Sequence, residues 1–187
     1  QIRELVAMLP SNNEDDDSLI ECTDDINRVC AELENCVGDT SIALSQLSDN
    51  GVFFETKAEY AKEMVTGFIK LNGATVGAVA NRTEVYADGA VAEKFDAVLT
   101  ANGCEKAADF INFCDAFQIP VLSLTNVKGF KATKCSEKRI AKAVARLTYA
   151  FANATVPKVN VVIGKDLGSA YVAMNSKAIG ADITMAW

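Results

Sequence analysis

Three features of the sequence predict an α/β fold with a mostly parallel sheet. Residues 105–118 and 136–153 each place apolar side chains at helical spacing, the mark of an amphipathic helix. A strand-like run follows each one, Val121-Leu122-Ser123-Leu124-Thr125 after the first and the β-branched Val159-Asn160-Val161-Val162-Ile163 after the second. A further helix-like segment starts near Gly168, so the order from residue 105 is helix–strand–helix–strand–helix. Crossover units of that kind build parallel sheets with helices packed outside. Upstream, Asn72-Gly73 stands between two apolar runs as a hairpin signal. The mix of hairpin and crossover suits a ββα superhelix as well as a doubly wound sheet.

In chain order, residues 2–8 read as a short amphipathic helix ended by Leu9-Pro10-Ser11-Asn12-Asn13, and residues 10–25 as a polar, acidic linker. Residues 26–36 are expected to form a short helix, and Thr40 to Leu47 another with Thr40 as N-cap. Val52-Phe53-Phe54-Glu55 reads as a strand, and Met64 to Leu71 with Thr75 to Ala80 as the two arms of the hairpin. Residues 82–99 match neither period. Ala107, Phe110, Ile111, Cys114 and Phe117 share one face of the 105–118 helix, which stops before Ile119-Pro120 because the residue before proline disfavours helix. Ser136 is the expected cap of the next helix, whose apolar face carries Ile140, Val144, Leu147 and Phe151. Gly164, Asp166 and Gly168 are expected to end the last strand, and Ala170, Tyr171, Met174 and Ala178 to line the helix after it. The domain division expected is a leader over 1–50 and one domain over 51–187.

Composition narrows the chemistry. A net charge of −7 argues against nucleic acid as a partner. Part of that charge is local, in Glu14-Asp15-Asp16-Asp17 and Asp24-Asp25, where a solvated loop is expected. The six cysteines form no C-x-x-C pair and no common zinc spacing, and all are expected to be reduced. With no apolar run near the ~20 residues a membrane helix needs and no signal pattern, the expectation is a soluble, cytoplasmic protein. Asn81-Arg82-Thr83 is a formal glycosylation sequon that such a chain leaves unmodified. Histidine is absent, which removes Ser-His-Asp catalysis, Cys-His catalysis and histidine metal sites from this chain. No metal is expected.

What remains is the backbone. A strand, a glycine turn and a helix start at Gly168 would place the N–H groups of Ser169 and Ala170 in a first helical turn. Such groups have no intrahelical acceptor and sit at the positive end of the helix dipole. They can hold an anion or a developing oxyanion. The same pattern also suits an ordinary strand, turn and packed helix.

The stretch Lys106-Ala107-Ala108-x-Phe110-Ile111-x-Phe113-Cys114-Asp115-Ala116-Phe117-x-Ile119-Pro120 resembles that of the acyl-CoA carboxyltransferases, components of biotin-dependent carboxylases and decarboxylases. The resemblance continues through Tyr149-Ala150-Phe151, Ala154-Thr155-Val156-Pro157-Lys158, Gly168-Ser169-Ala170-Tyr171 and Met174-x-Ser176-Lys177. Upstream it includes Leu9-Pro10-Ser11-Asn12-Asn13 and Phe53-Phe54-Glu55. It implies a crotonase/ClpP-like ββα superhelix and transfer of a carboxyl group between carboxybiotin and an acyl-CoA. Biotin would arrive on a biotin carboxyl carrier protein. The chain would correspond to most of a C-terminal domain, working in a homo-oligomer against the N-terminal carboxyltransferase domain of another subunit. The resemblance assigns the oxyanion donors to the amides of Ser169 and Ala170, the turn to Gly168, pocket walls to Tyr171 and Val172, and a loop near biotin to Gly129 and Phe130.

Three positions depart from the family pattern. Lys128 replaces a usual proline, Ala143-Val144 a common His-Gly pair, and Ser169 a glycine. The second is expected to alter a loop that closes over biotin. The departures leave a non-catalytic scaffold with a degenerate site as the alternative function. A hydratase or isomerase on the same fold lacks the paired carboxylates it would need.

Overall fold

The computed structural model describes residues 2–14, 21–31 and 33–187. Helix α1 (Ile2–Met8) ends on a buried Met8, whose carbonyl accepts the Thr75 hydroxyl at 2.6 Å and ties the N-terminal segment to the sheet. The acidic Asp15, Asp16 and Asp17, like the rest of linker residues 15–20, lie outside the described residues.

The expected helix over 26–36 does not form among its described residues, which hold instead a 3₁₀ turn at Leu33–Cys36. Arg28 pairs with Asp24 at 2.9 Å and sends its guanidinium to the carbonyls of Gln46 (2.7 Å) and Ser48 (2.8 Å). Those carbonyls close helix α2 (Thr40–Leu47), so the segment's strongest donor caps a neighbour. Asp39, not Thr40, is the N-cap of α2, accepting from Ser41 N–H at 3.2 Å, while Thr40 is already helical and buried.

Strands β1 (Phe53–Thr56), β2 (Met64–Leu71) and β3 (Ala74–Asn81) make an antiparallel meander. Asn72 (φ 51°) and Gly73 (φ 81°) are both left-handed, as the tight two-residue hairpin requires. Residues 82–99 contain a separate two-stranded hairpin, β4 (Glu84–Ala87) and β5 (Ala90–Lys94). Helix α3 (Ala101–Ala116) begins at Ala101 rather than Glu105, because Thr100 caps it through Gly103 N–H at 2.9 Å. Strand β6 (Val121–Val127) leads to helix α4 (Lys134–Asn153), which is capped by Thr133 through Ser136 N–H at 3.2 Å. Ser136 is therefore inside the first turn. Strand β7 (Lys158–Asp166), the short helix α5 (Gly168–Ala173) and strand β8 (Ile183–Ala186), which the sequence did not suggest, complete the chain.

The six-stranded sheet runs β1-β2-β3-β6-β7-β8, with β3, β6, β7 and β8 parallel. Its order advances in one direction, without the reversal of a doubly wound sheet. Phe68, Ile111, Leu147 and Phe151 belong to the core that joins the sheet to α3, α4 and α5. Leu44 of α2 packs with Val65 and Ile69 in a second cluster.

The 57–63 loop between β1 and β2 carries two left-handed non-glycine residues, Lys57 (φ 49°) and Ala61 (φ 46°). Buried cations hold it in place. Lys106 Nζ donates to the carbonyls of Tyr60 (2.8 Å) and Ala61 (3.5 Å), and Arg82 Nε to that of Lys62 (2.7 Å). Arg82 lies between the carboxylates of Asp39 (3.6 Å) and Glu55 (3.4 Å). Burial raises the Glu55 carboxyl pKa, and Arg82 opposes that rise.

Burial also lowers the Lys106 ammonium to about 8 from 10.5. Between those values the unfolded chain keeps a proton that the native chain has lost, so this group makes stability rise with pH through the window. Lys106→Met is expected to remove that component of the rise. Urea midpoints of both proteins at about pH 7.5 and about pH 9.5 measure it. Identical pH slopes would show that Lys106 keeps its proton when buried.

Candidate active site

The parallel strands β3, β6 and β7 reach the same edge of the sheet, where ligands bind in open α/β sheets. Two asparagines stitch their ends together. Asn81 Oδ1, at the end of β3, accepts from Asn126 N–H at 3.1 Å, and Asn126 Oδ1 accepts from Lys165 N–H at 3.0 Å. This happens where the β6–β7 register shifts between Thr125 and Val127. A Cβ on Gly164 would stand 2.6 Å from Asn126 Oδ1, so glycine makes room for the stitch. For that reason β7 does not end at Ile163 but runs through Gly164 to Asp166.

The chain then turns into α5. Leu167, in extended conformation, donates its N–H to the Val127 carbonyl at 3.0 Å, and Gly168 takes the left-handed φ of 63°. Helices α2, α3 and α4 each have a side-chain oxygen at the N-cap; α5 has none. Gly168 and Ser169 are exposed, whereas Ala170, Ala173 and Met174 are buried in the core. The helix is thus anchored by one side and open at its start. Tyr171 is half-buried against the core and Val172 is exposed. α5 is shorter than its periodicity suggests. Met174 is its C-cap, Asn175 reverses the backbone (φ 54°), and Ala178 falls in a separate 3₁₀ turn, Lys177–Ile179.

Gly129 and Phe130 follow β6 on a loop paired with residues 97–99. Lys128 N–H donates to Ala97 (2.8 Å), Leu99 N–H to Gly129 (2.9 Å), and Lys131 N–H to Leu99 (2.9 Å). Phe130 packs on the core, and nothing lies within 4 Å of where a Gly129 or Gly168 Cβ would stand. The Leu167–Val127 bond links this loop's strand directly to the start of α5. The expected site residues therefore emerge from two adjacent strands.

Two departures acquire a physical meaning. The Lys128 N–H makes a bond that proline could not make. Ala143 and Val144 lie within α4, which is already running from Lys134, so they form no loop of their own; Ala143 is buried and Val144 packs on the core. Ser169 is exposed.

Elsewhere, a cavity of about 350 Å³ lies between α1, β2 and α3, walled by Leu5, Leu9, Phe68, Phe110 and Phe113. Another, of about 520 Å³, is lined by Glu63, Phe95, Asp96, Thr100 and Lys131. Neither is lined by Ser169 or Ala170. Among the described residues no group of His, Cys, Asp or Glu is arranged to hold a metal, and no helix is long and apolar enough to cross a membrane. Cys104 and Cys114 are buried, and burial pushes the Cys104 thiol up to about 12 and raises that of Cys114 as well. Asn81 of the sequon is buried. The supports that sequence reasoning missed are Asn81 and Asn126, together with Thr125, Asn160 and Asn175 beneath α5.

The fold is the crotonase-like α/β fold of carboxyltransferase subunits. Transcarboxylase 12S superposes with a TM-score of 0.87 at 35% identity, covering 100% of this chain and 36% of its own. The model of the carboxyl transferase domain matches residues 1–187, and the chain belongs to that family. It is 39% identical to the propionyl-CoA carboxylase beta chain of Roseobacter denitrificans, over 100% of this chain and 36% of that protein. It is 37% identical to the methylmalonyl-CoA decarboxylase subunit alpha of Propionigenium modestum, with the same coverage. The chain spans about a third of the length of these curated relatives.

The asparagine stitch is testable through Gly164→Ala. The new methyl group is expected to displace Asn126, cost about 1–3 kcal/mol, and speed amide exchange at Lys165 and Leu167 while leaving α3 protected. Unchanged exchange at Lys165 would show that the Asn126 bond does not hold β7.

Proposed function

We propose that this chain supplies most of the C-terminal carboxyltransferase domain of a biotin-dependent acyl-CoA carboxylase or decarboxylase, with residues 1–50 leading into a domain over 51–187. The observation that carries this reading is the uncapped start of α5 at the strand exits, beside the Gly129–Phe130 loop. When a carboxyl group moves between a ureido nitrogen and the α carbon of a thioester, negative charge develops on the thioester oxygen and on the ureido oxygen. The N–H groups of Ser169 and Ala170 are suited to stabilise such charge without an imidazole, which this chain lacks. Each well-aimed donor lowers the barrier by ~3–4 kcal/mol.

Gly168 supplies the turn, Tyr171 and Val172 one wall, and Gly129 and Phe130 the other. Biotin, on a biotin carboxyl carrier protein, would supply the nitrogen that holds the carboxyl group. The open space at Gly129 and Gly168 fits a ligand brought in from outside. The acyl-CoA substrate would be held mainly by the N-terminal carboxyltransferase domain of another subunit in a homo-oligomer. Supporting this, the transcarboxylase 12S structure is a hexamer assembly with hydrolysed methylmalonyl-coenzyme A bound.

The test is decarboxylation of malonyl-CoA and methylmalonyl-CoA by the complete subunit, with free biotin as acceptor. Ala170→Pro deletes one donor at a helix start, where proline is tolerated. Turnover is expected in the unmodified protein and a loss of about a hundredfold or more in the folded variant. Equal activity would remove Ala170 from the site. Absence of biotin-dependent turnover on either substrate would favour the scaffold function.

A further inference from the structure

We infer that Ser123, Thr125, Asn160 and Asn175 form a buried positioning cluster that fixes α5, and with it the amides of Ser169 and Ala170, on strand β6. The inference rests on the site reading above and deepens it. All four side chains are fully buried. They come from β6, from β7 and from the residue that ends the α5 turn. Asn175 Nδ2 donates to Ser123 Oγ at 3.1 Å and to the Val159 carbonyl at 3.3 Å. Thr125 Oγ1 donates to Asn160 Oδ1 at 2.7 Å and lies 3.4 Å from the carbonyl of Met174, the C-cap of α5.

The strand's period of two explains why β6 can do this. Val121, Ser123, Thr125 and Val127 share the face turned to the helices, since Val121 and Val127 belong to the helix-side core while Leu122 and Leu124 pack on the other side. Apolar residues at 123 and 125 would fill the same space and hold the sheet together equally well. They would let α5 slide. Directional hydrogen bonds fix its position, and buried polar groups are tolerated only when they make such bonds. At the other end, Leu167 N–H bonds to the carbonyl of Val127, so one strand holds both termini of the helix. Among the described residues Asn160 Nδ2 and Asn175 Oδ1 have no hydrogen-bond partner.

A misplacement of about 1 Å at a reacting centre costs about a hundredfold in rate. In the complete subunit, Thr125→Val, which keeps shape and removes the hydroxyl, is expected to lower kcat at least about tenfold, with KM for the acyl-CoA unchanged within about twofold. Thr125→Ser is expected to restore most of kcat, which a merely space-filling role would not produce. Should Thr125→Val fail to fold, Asn175→Gly carries the same test, because glycine keeps the left-handed backbone and removes the amide. The Ala170→Pro variant is run beside them. If it is inactive while folded Thr125→Val or Asn175→Gly retains full kcat, the cluster does not position the helix. If Ala170→Pro is itself fully active, the site reading falls and the inference with it.

Discussion

Parallel pairing of β6 on both of its edges is the constraint from which the rest of the molecule follows. β3 bonds one edge and β7 the other, so β6 can neither shift nor twist without breaking two ladders. Its apolar residues divide between two cores, Val121 and Val127 on the helix side and Leu122 and Leu124 on the other. Its exit delivers the Gly129–Phe130 loop, and its last carbonyl receives the start of α5. Backbone ladders therefore set where the strands end, and the buried polar side chains beneath α5 hold the helix on them.

The stretch on which the resemblance was first drawn, residues 106–120, holds none of the candidate site residues. Lys106 secures the 57–63 loop through two carbonyls, and Phe110, Ile111 and Cys114 fill the core. Asp115 Oδ1 accepts from Thr155 N–H (2.6 Å) and hydroxyl (3.0 Å), tying the end of α3 to the end of α4. The family is thus recognised by its scaffold. A helix that must bury a lysine, fit against two neighbours and tie a distant turn leaves few residue choices, whereas a backbone amide asks little of the side chain attached to it.

Features governed by nearby residues were legible in the sequence. Asn72-Gly73 forces left-handed turns and gave the hairpin, and the apolar stripes of α3 and α4 gave two helices close to their true extent. Caps were misplaced by a few residues because Asp39 and Thr40, or Thr133 and Ser136, offer equivalent oxygens, and only the backbone geometry chooses between them. β4 and β5 carry mixed polar faces because they stand apart from the main sheet, so Asp88-Gly89 had no alternating flanks to mark it. β8 is a half-exposed edge with no clear alternation. The polar supports were hidden for a deeper reason. Ser123, Thr125 and Asn160 showed in the sequence only as members of strand runs, and the role they share with Asn175 exists only once three distant segments meet. The turn into α5 was legible from Gly168, but what holds the helix there was not.

A helix fastened at both ends to the same strand has no hinge of its own. Leu167 N–H bonds to Val127 and Asn175 Nδ2 to Ser123, both on β6, so tilting α5 would mean breaking its ties to the centre of the sheet. Any change at the exposed start of the helix, Gly168 and Ser169, would then have to come from what approaches it. The Gly129–Phe130 loop is itself tied to residues 97–99 by backbone bonds and by Phe130 on the core, so it is part of the same fixed frame. In mechanical terms this face of the chain is an anvil.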